Sequence, residues 1–463
     1  MAAVRDVDVL VVGGGIAGAT AAIAARRRGA RVVLVRRAPG ATALSSGAFD
    51  VAPDPLASPY RPRGQELSLE ACVHHLAGSR PDHPYGVVRD ELGRLPEVLA
   101  FAEDVFPEVG FVAPTEPNRC LPTSMGTLKF TGGALASVVG ADLALRAERI
   151  GVVGFRNHLE WDAALWARLL EEACARAGLS RAFVPVACDF LAPGDELLRP
   201  FEIAERIDDD PIAFVRSVQR TLPAGIDRLL LPPVLSRRSP AHVLGLVESE
   251  LFLPAAESLA TRLSVHGLRL QAMVDEALRR EEVEIEHGEV RAARPRDVDA
   301  LLLRSAEPRL PSADLFRPEV VARTEPIEGR PLRAKAVVLA TGKYLAGGIG
   351  RNGVLCEPLL DLPVELPGSR RASTFRLTAH DLVDEQPFFR AGVRTDARLR
   401  PVDEGGRTID PRLFACGDLL AGHDPARDGS AMGVALMTGY LAGRWAARVA
   451  VGKARAHLPE GSG

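Results

Sequence analysis

Glycine spacing near the beginning of the sequence is the first pattern with chemical meaning. Gly13, Gly15 and Gly18 form a G-x-G-x-x-G motif between a β-branched run and an alanine-rich segment. In that context the glycines permit a tight turn, a close approach of backbone to phosphate, and close packing of helix on strand. The helix start that follows offers unpaired N–H groups to the phosphate. The pattern predicts a nucleotide-phosphate site formed by Gly13, Gly14, Gly15 and Gly18.

The end of the second predicted strand departs from the usual dinucleotide pattern. Such sites place Asp or Glu there to hold the adenosine ribose hydroxyls, but this chain has Arg36, followed by Arg37. A guanidinium cannot accept hydrogen bonds from hydroxyls, whereas it binds phosphate well. Arg36 therefore favours a mononucleotide flavin over an adenine dinucleotide. A solvated surface charge is the alternative interpretation of this residue.

Four later segments have residue types that suit a flavin. Residues 42–47 are rich in hydroxyls, and residues 339–342 end a strand in A-T-G. Residues 414–418 resemble a late strand whose acid meets a ribityl or phosphate group, and residues 429–434 open the final helix with a serine N-cap. A helix start there would stabilise negative charge on a reduced flavin. The cofactor-binding candidates are Ser45, Ser46, Gly47, Thr341, Gly342, Gly417, Asp418, Gly429, Ser430, Met432 and Gly433.

Catalytic candidates follow from what a flavin-dependent oxidation requires. The reaction needs a base for a substrate proton and an open path for hydride, and Arg or Lys can hold an anionic group. The residues that meet these needs are His266, Arg269, Lys343 and His423. For each histidine taken singly, a capped or solvated loop residue is the alternative interpretation.

Composition excludes several classes of protein. The chain is 47% apolar and 25% charged with a net charge of −3, which gives no reason to expect a nucleic-acid partner. Its six cysteines form no C-x-x-C pair, which argues against zinc, an iron–sulfur cluster or a dithiol site. His74, His75 and His83 are interpreted as surface or loop residues, so no metal site is predicted. We expect buried, reduced thiols in a cytoplasmic protein without a membrane span.

Periodicity then places these residues on elements. Strands are predicted at 7–12, 31–35, 150–155, 182–187, 228–231, 336–340 and 412–418, and helices up to about 28 and at 159–177, 211–222, 267–280 and 430–449. A hairpin is predicted around His287-Gly288, and loops with short helices over residues 53–94. The predicted fold is α/β, a discontinuous, Rossmann-like two-dinucleotide-binding flavoprotein fold with an inserted α/β cap domain. Its predicted domains are residues 1–140, the insertion 141–250, and residues 251–463 with a small hairpin insertion.

Several longer stretches resemble one family along nearly the whole chain. They include S-S-G-A-F-D (45–50), P-T-S-M-G-T-L-K (122–129), S-V-H-G-L-R-L (264–270), V-L-A-T-G-K-Y-L-A-G-G-I (338–349) and L-F-A-C-G-D-L-L-A-G-H-D-P (413–425). The sequence resembles the B subunit of anaerobic glycerol-3-phosphate dehydrogenase, the flavoprotein of a three-subunit enzyme. That family also lacks the ribose-binding acid at the position of Arg36.

The resemblance implies a cofactor, partners and a reaction. The cofactor is FMN, with FAD as the alternative. The partners are a separate catalytic subunit and a membrane-associated iron–sulfur subunit, which would keep the chain peripherally at the inner membrane. The complex would oxidise sn-glycerol 3-phosphate to dihydroxyacetone phosphate and pass electrons to quinone, with this chain as hydride acceptor or electron relay.

Two other interpretations remain open at this point. The chain could be a stand-alone flavin dehydrogenase of the fumarate-reductase type, in which case the isolated chain would reduce a dye with substrate. It could also be a non-catalytic scaffold that has kept the fold but binds no flavin, as Arg36 suggests; such a protein would be colourless.

Overall fold

A β-branched run, an alanine-rich helix and a second β-branched run begin the fold, as predicted. The strand Arg5–Val12 is followed by the helix Ile16–Arg26 and the strand Val32–Arg36. Gly29, which the sequence places at the end of the helix, has a φ of +81°. Glycine adopts this left-handed conformation without steric cost, so the chain can turn from the helix into the second strand.

The computed structural model describes residues 5–57, 66–144, 149–261, 264–306, 329–352, 354–366, 377–381, 383–425 and 427–452. The chain divides into two units, each made of separate segments. The first unit contains residues 1–42, 73–105 and 274–463, and the second contains residues 43–72 and 106–273. These limits differ from the predicted domains, because residues 43–72 and 106–140 make their contacts in the second unit.

A doubly wound, mostly parallel sheet of six strands forms the core of the first unit. Arg5–Val12 pairs in parallel with Val32–Arg36 on one side and with Arg330–Leu339 on the other. Glu284–Ala292 continues the sheet beyond Val32–Arg36, and Leu413–Ala415 continues it beyond Arg330–Leu339. The central strands are runs of buried Val and Leu, as expected where both faces of a parallel sheet are covered.

The predicted hairpin around His287-Gly288 is wrong, because Glu284–Ala292 is one continuous strand. Its first half pairs in parallel with Val32–Arg36, and its second half pairs antiparallel with Leu301–Ser305. A Cβ on Gly288 would lie 2.2 Å from a carbonyl oxygen of the latter strand. The glycine therefore permits close strand pairing, and the chain turns back only after residue 292.

Helices of the first unit pack closely on its sheet. The C-terminal helix Ala431–Val451 lies against Ile16–Arg26, where Cβ atoms on Gly439 and Gly443 would come within 2.5 Å and 2.2 Å of its carbonyl oxygens. Further helices are Pro84–Val87 and Leu95–Val105, with 3₁₀ turns at Arg89–Arg94, Pro387–Arg390 and Gly417–Leu419. Among the described residues, no helix combines the length and apolarity needed to cross a membrane.

The second unit contains a four-stranded parallel sheet with its own core. The order is Ala255–Glu257, Arg228–Leu231, Arg149–Phe155 and Ala182–Cys188. Its helices and smaller strands are Ala136–Val139, Ala163–Arg176, Pro200–Asp209, Pro211–Thr221, Pro240–Leu251, Ala48–Phe49, Val109–Phe111, Gly133–Leu135, Arg119–Pro122 and Leu128–Thr131. The helices Leu69–Ser79 and Val265–Arg280 and the 3₁₀ turn Ala41–Leu44 contain the unit boundaries.

A smaller antiparallel sheet of the first unit contains a buried carboxyl group. Its strands are Gly350–Asn352, Val354–Glu357, Leu362–Glu365 and Gly392–Val393. The Glu357 carboxyl is fully buried and accepts hydrogen bonds only 3.0 Å and 2.9 Å long from the amides of Leu359 and Leu360. Burial raises the pKa of Glu357 to about 7, since the ionised form loses its hydration.

This raised pKa predicts a pH-dependent loss of stability that Glu357→Gln removes. A carboxyl group whose pKa rises on folding contributes fully below its unfolded pKa, and that contribution is lost as pH rises through the folded value of about 7. We expect the variant to be less stable than the parent by about 1 kcal/mol at low pH, because one amide loses its acceptor. Above neutrality we expect it to be more stable by about 2 kcal/mol, because no charge is buried.

Urea unfolding measures this difference when it is done below the unfolded pKa of the carboxyl group and again above its folded value of about 7. The matched control is Glu365→Gln in the neighbouring strand, where the side chain is 45% exposed and pairs with Arg394. The prediction is contradicted if the difference in free energy of unfolding between Glu357→Gln and the parent is the same at both pH values.

Candidate functional site

The glycine loop of the first unit is packed so tightly that it accepts no side chains. Gly13 has a φ of +119°, and a Cβ on it would lie 2.2 Å from the carbonyl oxygen of Ala340. A Cβ on Gly18 would lie 2.0 Å from the carbonyl oxygen of Gly13. The loop, the first helix and the end of the strand Arg330–Leu339 therefore meet at van der Waals distance, as the motif predicts.

The first helix begins directly behind this loop. Gly15 is its N-cap and provides no side-chain cap. The amide of Ile16 donates instead to the Thr42 hydroxyl at 2.9 Å. The N-terminus of the helix thus has glycine backbone before it and the Thr42 hydroxyl beside it. This arrangement suits a phosphate.

Arg36 is already engaged by an acid. Its side chain lies over Gly14, where a Cβ would come within 2.5 Å of the Arg36 Cδ. Its guanidinium makes two hydrogen bonds with the carboxylate of Asp275, one of them 3.1 Å long, and the side chain is only 10% exposed. A role of Arg36 as a phosphate ligand stays a prediction, but the argument from it to FMN is weakened because Asp275 already neutralises the charge.

The strand end after Ala340 has a hydroxyl that no residue satisfies. Thr341 Oγ1 is shielded from solvent and has no hydrogen-bond partner among the described residues. Gly342 follows with a φ of +67° and turns the chain away from the sheet. A buried hydroxyl without a partner costs free energy, so a bound polar group at this position fits the observation.

Gly417 and Asp418 lie at the neighbouring strand end. The Gly417 amide donates to the Thr438 hydroxyl at 2.9 Å, and a Cβ on Gly417 would lie 2.6 Å from that of Ala17. The Asp418 carboxylate is 34% exposed, and its Oδ1 has no hydrogen-bond partner among the described residues. The acid is therefore held beside the first helix with one acceptor oxygen available to a ligand.

Lys343 is a buried cross-link. Its ammonium donates to the backbone carbonyls of Phe389 and His423 and lies 3.8 Å from Asp418 Oδ1. Burial lowers the pKa of Lys343 despite the nearby carboxylate of Asp418. These contacts join three loops of the first unit, so the residue has a structural task besides its predicted catalytic one.

A cluster of buried polar groups lies at the beginning of the C-terminal helix. The interpretation of His83 as a surface or loop residue is wrong, because it is fully buried and its Nε2 lies 3.2 Å from Ser430 Oγ. Ser430 is the N-cap as predicted, but its hydroxyl contacts His83 and makes no cap hydrogen bond. His423 is buried in the same cluster, together with Asp428. Gly429 turns the chain with a φ of +53°, while Met432 and Gly433 lie in the first helical turn.

In the second unit, the loop 45–47 is held by its own neighbours. Ser264 Oγ donates to the carbonyl of Ser45 at 2.6 Å, and His266 Nδ1 donates to that of Ser46 at 2.9 Å. Gly47 has a φ of +91°, and a Cβ there would lie 2.6 Å from His266 Nδ1. His266 thus fixes the shape of this hydroxyl-rich loop.

His266 and Arg269 share one buried acid, Glu257. Arg269 makes a two-point ion pair with Glu257, and His266 Nε2 lies 3.3 Å from Glu257 Oε2. Burial alone would raise the pKa of Glu257, but the charges of Arg269 and His266 lower it below its ordinary value. Nδ1 therefore faces a carbonyl and Nε2 faces a carboxylate, both of which accept hydrogen bonds. The catalytic role of His266 stays a prediction.

Sequence reasoning missed the acids and the arginine that organise these groups. Glu257 ends an apolar strand, and Asp428 precedes the glycine of the final helix start. Arg80, which donates to Asp428, is far from it in the chain. A charged residue at the end of an otherwise apolar strand was the one signal available for Glu257.

Comparison with known proteins agrees with this geometry. Residues 8–202 and 322–434 match the family described as FAD binding domain. With the doubly wound sheet, this match confirms the predicted Rossmann-like flavoprotein fold. The family binds FAD, so the predicted first choice of FMN is not supported.

Curated relatives match over nearly the full chain, and each is named as the B subunit of anaerobic glycerol-3-phosphate dehydrogenase. The relative from Pectobacterium carotovorum is 28% identical over 442 residues, which cover 93% of this chain and 96% of the relative. The relative from Halobacterium salinarum, named as a probable member, is 30% identical over 456 residues, with 95% and 97% covered. The relative from Yersinia pestis is 28% identical over 450 residues, with 93% and 95% covered.

Proposed function

Because this chain belongs to the FAD binding domain family and to the family of the anaerobic glycerol-3-phosphate dehydrogenase B subunit, we propose that it is a flavin-carrying subunit of that dehydrogenase. The complex would oxidise sn-glycerol 3-phosphate to dihydroxyacetone phosphate and pass the electrons to quinone. The observation that carries the proposal is the glycine loop, in which Gly13 and Gly18 leave no room for a Cβ beside Ala340.

We propose FAD as the flavin. The usual ribose acid is absent from the second strand, where Arg36 is paired with Asp275. The glycine loop and the start of the first helix would hold the pyrophosphate. Thr341 and Asp418, each with a buried oxygen that lacks a partner among the described residues, would bind polar groups of the cofactor. Ser45, Ser46 and Gly47, in the second unit, stay predicted cofactor-binding residues.

A bound flavin would supply the hydride acceptor for oxidation of the alcohol. The chain's own residues would then position the substrate and accept its hydroxyl proton. His423 is the proposed acceptor, because its ring is buried and neither nitrogen has a hydrogen-bond partner among the described residues. Lys343 would hold the His423 backbone through its carbonyl.

Partner chains are part of the proposal. The relatives are named as one lettered subunit of an enzyme, and we propose two further chains: a catalytic subunit that takes part in substrate oxidation, and an iron–sulfur subunit. The latter would bring the chain to the inner membrane, with electrons passing from flavin to clusters to quinone.

Absorbance of the purified full-length chain tests the proposal, followed by acid release and chromatography of the flavin. We expect the bands of oxidised flavin and FAD in the extract, at about one per chain. FMN in the extract would overturn the FAD assignment. A chain that stays colourless after incubation with either flavin would overturn the proposed function and favour a scaffold. Dye reduction by the isolated chain with glycerol 3-phosphate would place oxidation in this chain.

A further inference from the structure

His423 lies between two carboxylates in the first unit. Its side chain is 1% exposed, with Nδ1 3.7 Å from Asp428 Oδ2 and Nε2 4.0 Å from Asp418 Oδ1. Both distances are longer than a hydrogen bond. The ring or the acid would have to rotate to form one.

Asp428 is the more rigid of the two acids. Arg80 donates to its Oδ1, and the amide of Asp424 donates to its Oδ2 at 2.8 Å. Burial alone would raise the pKa of Asp428, but these donors and His423 lower it below its ordinary value. The carboxylate is therefore ionised at neutral pH, and it can only accept a hydrogen bond from His423.

His83, the other ring in the cluster, is committed to one tautomer. Its Nδ1 accepts the amide hydrogen of Tyr85 at 3.2 Å, so its proton resides on Nε2, which faces Ser430 Oγ at 3.2 Å. Burial and neighbouring positive charge lower the pKa of His83 to about 2. His83 therefore stays neutral, and its Nε2–H is closer to Ser430 Oγ, at 3.2 Å, than to Asp428 Oδ2, at 3.8 Å.

The same assignment of hydrogen to Nε2 of His83 argues against a metal ion in this cluster. The ligand atoms of His83, His423 and Asp428 all lie within 4.8 Å of one another. A metal on His83 Nε2 would require a bare nitrogen there and hydrogen on Nδ1. That hydrogen would point at the Tyr85 amide hydrogen. The group is thus better suited to moving a proton than to holding a cation.

We propose that Asp428 is a positioning residue that holds His423 in the Nδ1–H tautomer, so that the bare Nε2 accepts a proton at the Asp418 side. Arg80 fixes Asp428 in turn. The charged and titratable groups facing or contacting His423 are Asp418, Asp428, Asp424, His83, Lys343 and Arg80.

The proton's origin rests on the proposed function. Oxidation of a secondary alcohol to a ketone breaks one C–H bond and one O–H bond. A bound flavin would supply the acceptor for the hydride of the C–H bond, and the proton of the O–H bond would form a new N–H bond at His423 Nε2. Asp428 then stabilises the charged ring without taking the proton itself.

Ring nitrogen shifts of the full-length chain test the tautomer directly. The chain is labelled with ¹⁵N,¹³C-histidine, and His423 is assigned among the ten histidines from the signals missing in His423→Gln. We expect hydrogen on Nδ1 and a bare Nε2 in the neutral ring. In Asp428→Asn, the charged Arg80 is expected to keep the amide oxygen, because its hydrogen bond is the stronger one. The NH₂ then replaces Oδ2, faces His423 Nδ1 and leaves the Asp424 amide without its acceptor. We expect the signal of the Nδ1–H tautomer to be lost and that of Nε2–H to replace it.

Asp403→Asn is the matched control, since it removes a carboxylate from a pair with Arg407 whose atoms lie 2.9 Å apart. We expect it to leave the His423 signals unchanged. Hydrogen on Nε2 in the parent chain would overturn the proposal even if Asp428→Asn did not fold, and so would an unchanged tautomer in Asp428→Asn. A chain that binds flavin but shows no switch contradicts this proposal alone. A chain that shows the switch but binds no flavin contradicts the proposed function alone.

Discussion

Replacing Gly18 by alanine is expected to lower flavin affinity by at least about 100-fold and to destabilise the chain by about 1–3 kcal/mol. The new Cβ would lie 2.0 Å from the carbonyl oxygen of Gly13 and 3.2 Å from the Ala340 Cβ. The Gly13 backbone leaves no space for the new methyl group, so the loop would have to move. Gly18 lies in a helix with ordinary dihedral angles, and alanine itself is favoured there. The expected loss therefore comes from contact with the loop alone.

Gly78→Ala provides the matched control for this substitution. Gly78 also lies in a helix, and a Cβ on it would meet nothing within 4 Å. We expect full flavin content and a gain in stability of up to about 1 kcal/mol. Flavin titration monitored by fluorescence, with urea unfolding of the apoprotein, measures both quantities. Equal flavin affinity in the two variants would show that the loop geometry at Gly18 does not form the cofactor site.

Replacing Glu257 by glutamine is expected to destabilise the second unit by about 3–5 kcal/mol. The carboxylate is fully buried, neutralises Arg269 and lies 3.3 Å from the ring of His266. Without it, positive charge remains in the interior with no compensating partner. Glu257 also accepts the amide of Leu235 at 2.9 Å, so the change reaches the neighbouring loop. Thermal unfolding and urea titration, followed separately from flavin content, measure the loss.

A double variant separates unpaired charge from lost packing. Glu257→Gln combined with Arg269→Met removes the arginine that has lost its partner, and we expect it to recover about half of the loss. Asp403→Asn serves again as control, because its arginine pair is at the surface and is expected to have little effect on stability. A loss below about 1 kcal/mol in Glu257→Gln would contradict the prediction, because it would show that the buried arginine does not depend on Glu257 for compensation.

Local patterns predicted the elements around the glycine loop well. The structures formed by the apolar runs, the G-x-G-x-x-G spacing and Gly29 are determined by residues close in the chain. A short stretch of sequence is therefore enough to predict them. The helix 163–176 and the strand 182–188 were found for the same reason. No strand order was predicted from the sequence, because pairing of distant strands leaves no trace in periodicity.

Predictions about polar side chains fared less well, because their partners are remote in sequence. Arg36 was interpreted as a free phosphate ligand because nothing in the sequence shows that it pairs with Asp275. His83 carries no sign of burial in a segment rich in Pro, Asp and Arg, yet Ser430 and Tyr85 enclose it. The hairpin at Gly288 failed because a glycine that permits close strand approach has the same sequence pattern as one that permits a turn.

The pairing of the first strand has a consequence for biosynthesis. Arg5 and its neighbours lie in register with Leu332 onward, so this edge of the N-terminal strand has no partner until the ribosome has made most of the chain. At ordinary translation rates that interval is on the order of tens of seconds. Every segment of the second unit emerges within it. The apolar edge of Arg5–Val12 is exposed meanwhile to wrong partners and to chaperones, so the cofactor loop at the end of that strand is among the last parts of the nascent chain to acquire its final surroundings.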